Sequence, residues 1–245
     1  MRRIILAILT LTLTACGRPA EDVPGRTGEP DPGSDAATVE RAEPATTAAR
    51  TNRDDSAATI LFVGTSLTAG YGVGAEQAYP AVLQQKIDSA GLRYRVVNAG
   101  ISGETSAGGL RRIDWSLQQP TDVLVVELGA NDGLRGLDPA AMRSNLDGIL
   151  ARARELHPDV AIVVIGMEAP PNLGTDYGAR FRNVFTDIAR QYDAALVPFL
   201  LDGVAADPAL NLDDGIHPNA EGHRILARTV WEVLGPVLAA RVADG

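Results

Sequence analysis

Short runs dominated by apolar residues recur along this chain from residue 59 onward: Thr59–Val63, Tyr94–Val97, Val123–Leu128, Val160–Ile165 and Ala195–Pro198. Between them lie segments with helical spacing, at Tyr79–Ala90, Leu110–Gln118, Pro139–Glu155 and Tyr177–Tyr192, and a last one follows at Ala220–Ala240. A strand that lacks a polar alternate has no face to give to water, so both its faces must be covered. Strands of this kind alternating with amphipathic helices predict a parallel sheet between two helical layers. The expectation is one three-layer α/β/α domain over residues 58–245 with a five-stranded sheet. Pro80 suits the first turn of its helix, Gly91 suits a C-cap, and Gly235-Pro236 predicts a kink in the last helix. In such sheets ligands bind beyond the carboxyl ends of the strands, where the strand order reverses.

The first residues read differently. Arg2 and Arg3 precede an apolar stretch from Ile4 to Thr14, followed by small residues and Cys16. That pattern is an export signal, too short to span a bilayer. Leu13-Thr14-Ala15-Cys16-Gly17 resembles the lipobox of bacterial lipoproteins, which implies cleavage before Cys16 and lipidation of that residue. An ordinary secretory signal with an incidental Cys is the alternative. The expected organisation is a signal peptide at 1–15, a lipidated Cys and linker at 16–57, and the domain at 58–245. The linker is rich in Pro, Gly, Ala, Thr, Asp and Glu, and cannot bury enough apolar surface to offset its ordering entropy. Cys16 is the only cysteine, so no internal disulfide forms. The formal net charge of −9 argues against nucleic acid as a partner.

Reactive side chains cluster just after strands. Gly64-Thr65-Ser66-Leu67-Thr68-Ala69-Gly70 follows the first strand, Asn98-Ala99-Gly100-Ile101-Ser102-Gly103-Glu104-Thr105 the second, and Gly129-Ala130-Asn131-Asp132-Gly133 the third. A fourth segment, Asp213-Asp214-Gly215-Ile216-His217-Pro218, precedes the last helix. Ser66 lies where a helix start would aim backbone N–H groups at an approaching carbonyl, although the position equally suits a helix N-cap. The setting is not the G-x-S-x-G elbow. Of the three histidines, His157 reads as a solvated cap and His223 as a surface or partly packed residue of the final helix. His217 follows Asp214 by three residues, a spacing that in a tight turn brings the carboxylate to one ring nitrogen and leaves the other for a serine proton. The same Asp-Gly also suits a plain capping turn. Asn131 and Gly103 each offer an N–H to an oxyanion, and each also occurs in ordinary turns.

Together the four blocks resemble the SGNH (GDSL) hydrolases, in the family's order and over the whole domain. The blocks are Ile60 to Tyr71, Val97 to Thr105, Glu127 to Gly133, and Asp213 to Asn219. The runs Gly-Ile-Ser-Gly-Glu-Thr-Ser and Asn-Asp-Gly-Leu-Arg-Gly are most similar to the periplasmic thioesterase/lysophospholipase (arylesterase) branch. The resemblance implies a flavodoxin-like SGNH fold with Ser66 as nucleophile, His217 as general base and then acid, and Asp214 as its orienter. It also implies an oxyanion hole made of the Ser66 and Gly103 backbone N–H groups and the Asn131 side chain. Two positions depart from the family pattern: Thr65 stands where Asp precedes the serine, and Ala130 stands where Gly is frequent.

The implied activity is hydrolysis of carboxylic esters or thioesters through an acyl-enzyme, needing no metal or organic cofactor, by a protein exported and held to a membrane through Cys16. The alternatives are a carbohydrate O-deacetylase of the same superfamily and a non-catalytic lipid- or glycan-binding lipoprotein. The loop Ala169-Pro170-Pro171-Asn172-Leu173-Gly174 after the fourth strand is a candidate wall of an acyl groove.

Overall fold

The computed structural model describes residues 57–243. The export signal, the lipidation of Cys16 and nearly all of the linker lie outside the described residues. Among those described, no helix is long and apolar enough to cross a membrane.

Five strands, β1 (Ala58–Gly64), β2 (Tyr94–Gly100), β3 (Val123–Glu127), β4 (Ala161–Ile165) and β5 (Ala195–Val197), form one sheet in the order β2-β1-β3-β4-β5. Every pairing is parallel. Among the described residues seven α-helices accompany it: α1 (Ser66–Ala69), α2 (Tyr79–Ser89), α3 (Ser106–Ser116), α4 (Ala130–Leu134), α5 (Pro139–Leu156), α6 (Thr175–Gln191) and α7 (Ala220–Ala243). The expected three-layer α/β/α sandwich and its five strands are therefore present. The cause is visible in β1 and β3: Ile60, Leu61, Phe62 and Val63, and likewise Val123 through Val126, are all buried. Consecutive buried residues point to opposite faces of the sheet, so both faces must carry helices.

The order reverses between β1 and β3. The chain leaves β1, adds β2 on one side, and returns to place β3 on the other, which opens a crevice above the ends of β1 and β3. Register makes the crevice level. Gly64, the last residue of β1, pairs with Gly100 of β2 and with Glu127 of β3.

Several boundaries differ from the sequence reading. Helix α3 starts at Ser106, a turn earlier than Leu110, because the Thr105 hydroxyl accepts the Gly108 N–H and caps it there. The two short helices α1 and α4 were not visible as periodic segments, since five residues or fewer hold too little of the helical repeat. Helix α7 runs through Pro236 to Ala243.

Helix α6 presents the expected apolar stripe, with Phe181, Val184, Phe185 and Ile188 all buried. Phe181 makes an edge-to-face contact with Phe185 at 5.4 Å between ring centroids and stacks on Tyr177 at 6.1 Å. A Cβ at Gly133 would lie 3.1 Å from its ring, so Phe181 also supports α4 from below. Phe181→Ala is expected to lower stability by about 3–5 kcal/mol, read as a shift in the urea midpoint at unchanged slope.

Candidate active site

The site is built from the turns after β1, β2 and β3 and from the segment before α7. Thr65, not Ser66, is the N-cap of α1; its extended backbone leads into Ser66 as the first helical residue. The capping reading of the serine position thus belongs one residue earlier, and the Ser66 hydroxyl is left free of the helix. It lies 3.0 Å from His217 Nε2.

His217 is held by a tight turn. Asp214 Oδ1 accepts the backbone N–H of Ile216 at 2.9 Å and of His217 at 3.0 Å, while Asp214 Oδ2 meets His217 Nδ1 at 2.7 Å. The N–H groups of His217 and Ile216, and then the His217 ring, hold the Asp214 carboxyl down at about 2. An ionised Asp214 keeps the ring proton on Nδ1, which leaves Nε2 to accept the Ser66 O–H. Tyr71 lies against the other side of the imidazole, with ring centroids 4.5 Å apart. The Leu212 N–H donates to the His217 carbonyl at 2.7 Å, and an isolated bridge pairs Asn211 with Pro218, so the turn is tied at its base.

Gly103 and Asn131 reach the same pocket as Ser66 and His217. The Gly103 carbonyl accepts the Arg135 guanidinium at 2.9 Å, and Asn131 Nδ2 donates to the Glu104 carbonyl at 2.9 Å. An amide nitrogen carries two N–H groups, so that contact uses one of them. Glu104 in turn pairs with Arg112, whose guanidinium also donates to the Ala99 carbonyl at 2.8 Å. The loop bearing Gly103 is therefore held from three sides. Asn131 owes its place to Gly129, whose φ of +117° admits no side chain without strain and starts α4 directly off β3. The next residue, Asp132, is buried and accepts the Ser106 N–H at 2.8 Å and the Ser106 hydroxyl at 2.6 Å, joining α4 to the start of α3.

The pocket has a volume of about 870 Å³. Its wall is largely apolar, with Leu67, Leu134, Met167, Phe199, Leu201 and Ile216 among its residues. Ala169, Pro170 and Pro171 line it as well, so the start of the loop after β4 takes the place expected of it. Ala130 is also at the wall. No group of three or more His, Cys, Asp or Glu side chains that could hold a metal ion occurs among the described residues.

Beneath Ser66 lies a polar cluster absent from the sequence reading. Glu127 is 0% exposed. Its carboxyl accepts the Thr65 N–H at 2.8 Å, the Thr65 hydroxyl at 3.0 Å and the Thr68 hydroxyl at 2.8 Å. Burial pushes it up to about 7 against the lowering effect of those donors. The Thr68 hydroxyl also meets the Tyr79 hydroxyl at 2.8 Å, and the Tyr79 N–H donates to His223 Nδ1 at 3.2 Å. His223 is thus not a surface residue: it is 1% exposed, stacked on Tyr79, and held down at about 4 by burial and by the charge of His217. His157 does cap α5, but its ring faces the Leu117 carbonyl at 3.0 Å rather than solvent alone. One sequence signal marked the cluster: an acidic residue ending an otherwise apolar buried strand.

The GDSL-like lipase/acylhydrolase family pattern matches residues 62–225 of this chain. Esterase TesA of Pseudomonas aeruginosa is 42% identical over 184 residues, covering 75% of this chain and 90% of that protein. Thioesterase 1/protease 1/lysophospholipase L1 of Escherichia coli K12 is 38% identical over 190 residues, covering 77% of this chain and 88% of that protein. The crystal structure of TesA matches with a TM-score of 0.69 at 41% identity, covering 73% of this chain and 98% of that one.

The two buried groups make opposite contributions to stability. His223 is neutral in the fold and protonates more readily unfolded, so its contribution is complete above about 6.5 and is lost as pH falls through about 4. Glu127 holds its proton more tightly folded than unfolded, so its contribution is complete below about 4.5 and is lost as pH rises through about 7. Melting temperatures recorded from pH 4 to 8 are expected to show a flatter acid side in His223→Gln and a flatter neutral side in Glu127→Gln.

Proposed function

The chain belongs to the GDSL-like lipase/acylhydrolase family and is an ester hydrolase, and we propose that it works through Ser66, His217 and Asp214 with the Ser66 and Gly103 N–H groups and Asn131 as oxyanion donors. The observation that carries this reading is the unbroken chain of contacts from Asp214 Oδ2 to His217 Nδ1 at 2.7 Å and from His217 Nε2 to Ser66 Oγ at 3.0 Å. A serine hydroxyl becomes a competent nucleophile when an oriented base takes its proton as it attacks.

In the first step Ser66 Oγ bonds to the acyl carbon while its proton passes to His217 Nε2. Negative charge collects on the former carbonyl oxygen, where fixed donors stabilise it more than they stabilise the ground state. Collapse of this intermediate breaks the bond to the leaving alcohol or thiol, which takes the proton from Nε2. Water then repeats the sequence on the acyl-enzyme, giving up its proton to Nε2 and releasing the carboxylic acid and free Ser66. Asp214 keeps the ring in one tautomer and stabilises the imidazolium formed in each half-reaction.

An apolar pocket wall suits an acyl chain better than an acetylated sugar, which supports carboxylic esters and acyl thioesters as substrates over glycan acetates. The relatives named esterase and thioesterase/lysophospholipase support the same substrate class. The sequence features at Arg2, Arg3 and Cys16 support an exported protein tethered by lipid on Cys16, with residues 16–57 as the tether and 58–245 as the enzyme.

Full-length protein assayed with p-nitrophenyl esters is expected to lose turnover to background in Ser66→Ala and His217→Ala. Full turnover in either variant sinks the triad. Asn131→Ala is expected to cost about 10²–10³-fold in kcat, as loss of one oxyanion donor does. Across a series of acyl chain lengths, kcat/KM is expected to rise from acetyl to longer chains; a preference for acetyl on sugars over all of them rejects the substrate assignment.

A further inference from the structure

The carboxyl of Glu127 is fully buried, yet none of the hydrogen bonds it accepts comes from a cation. A buried carboxyl with no counter-charge is costly to keep, and a neutral residue of similar size would fill the space at lower cost. Its contacts suggest what it does there. It accepts from both the backbone N–H and the side chain of Thr65, the residue before Ser66, and from the side chain of Thr68, two residues after it. The backbone itself accommodates this group. A Cβ at Gly64 would lie 2.8 Å from Glu127 Oε2 and 2.1 Å from Thr68 Oγ1, so only glycine leaves room for the carboxyl and hydroxyl to meet.

We propose that Glu127 is a positioning residue for the nucleophile: its carboxylate grips residues 65 and 68 from below and so fixes the direction of the Ser66 backbone N–H and hydroxyl. Two contacts on Thr65 set its backbone and side chain together, and the plane of the Thr65–Ser66 peptide, with the Ser66 N–H, follows. The contact on Thr68 fixes the other end of the single turn α1. A helix this short cannot hold its own geometry, because nucleating one turn is unfavourable. An external template at both ends replaces the missing cooperativity.

The carboxylate serves this role in its ionised form, in which both oxygens only accept. Oε2 accepts from the Thr65 N–H and from both hydroxyls, whereas Oε1 faces only the Thr65 hydroxyl, so a proton taken up on Oε1 turns that oxygen into a donor and changes its contact with Thr65, the residue next to Ser66. Burial brings this protonation to about 7. The groups facing the carboxyl are Gly64 from β1, Thr65 and Thr68 around α1, and the Tyr79 phenol from α2, itself raised by burial and by the charge of Glu127. His223 of α7 lies beyond Tyr79.

The inference rests on Ser66 being the nucleophile, and the test separates the two. Labelling of the full-length protein by a fluorophosphonate, lost in Ser66→Ala, addresses the nucleophile alone. Glu127→Gln keeps the shape and an acceptor for the Thr65 N–H; it is expected to lower kcat about tenfold, a smaller effect than deleting an oxyanion donor outright. KM should stay within about twofold of the parent, since ground-state binding is untouched. The acid limb of its kcat profile should need one ionisation where the parent needs two. Glu127→Leu removes every acceptor and should lower kcat about 10²-fold, the effect of a misplaced reacting group. Thr65→Val, which keeps the N–H and loses the hydroxyl, should fall between the parent and Glu127→Leu, so a poorly folding Leu variant does not decide the matter. Parent-like kcat and pH profile in both Glu127→Gln and Thr65→Val overturn the proposal, as does a loss confined to KM.

Discussion

The in-register parallel pairing of β1 with both β2 and β3 is the constraint on which the site depends. Because Gly64 lies opposite Gly100 and Glu127 at once, the three turns that follow leave the sheet at the same level. Shifting one strand by a single residue would turn its side chains to the opposite face and move its turn along the strand axis. Apolar burial on both faces prevents that shift: β1 and β3 are surrounded by core, and a slipped register would leave Glu127 facing the helical layer where a valine now sits. The hydrophobic pattern of the strands thus sets the spacing between Ser66, Gly103 and Asn131, although none of these three contributes to it.

The fourth component comes from elsewhere and is held differently. His217 sits on a turn without sheet support, and its placement relies on local polar contacts: Asp214 binding both backbone and ring, and Leu212 and Asn211 closing the base. Asp214 thereby serves the turn with one oxygen and the imidazole with the other. Its low ionisation follows mainly from the backbone contacts, so its charge is secured by the fold before the ring is considered. A single residue that both shapes the turn and orients the imidazole explains why a three-residue spacing suffices.

The strands, the long helices and the reactive blocks were legible in the sequence because each has a strong local signature: unbroken apolar runs, helical periodicity, and glycine-flanked polar residues after strand ends. Asp214 and His217 were legible because they are near in sequence, and Ser66 because it follows a strand. What escaped was whatever depends on depth rather than pattern. His223 read as a surface or partly packed residue, since a polar position among the mixed apolar and charged residues of α7 gives no sign of which layer covers it; the packing of α7 against α2 buries it on Tyr79. Arg135 and Arg112 have no role in the sequence reading, and only the folded loop shows their donors on the Gly103 and Ala99 carbonyls. The helices α1 and α4 were too short to register as periodic.

Thr65 draws these threads together. Where the family pattern has Asp, this chain has a hydroxyl 3.0 Å from both oxygens of Glu127. An Asp at that place would set two carboxyls in contact inside the protein, and such a pair cannot ionise together. One would hold a proton and donate it to the other. A threonine meets the same geometric demand without titrating: its O–H donates to the carboxylate, and its oxygen accepts the Leu67 N–H at the helix start. With threonine at this position Glu127 is the ionisable member of the pair beneath Ser66. At this departure from the family pattern the Thr65 hydroxyl donates to Glu127, and the bond depends on Glu127 being there to accept.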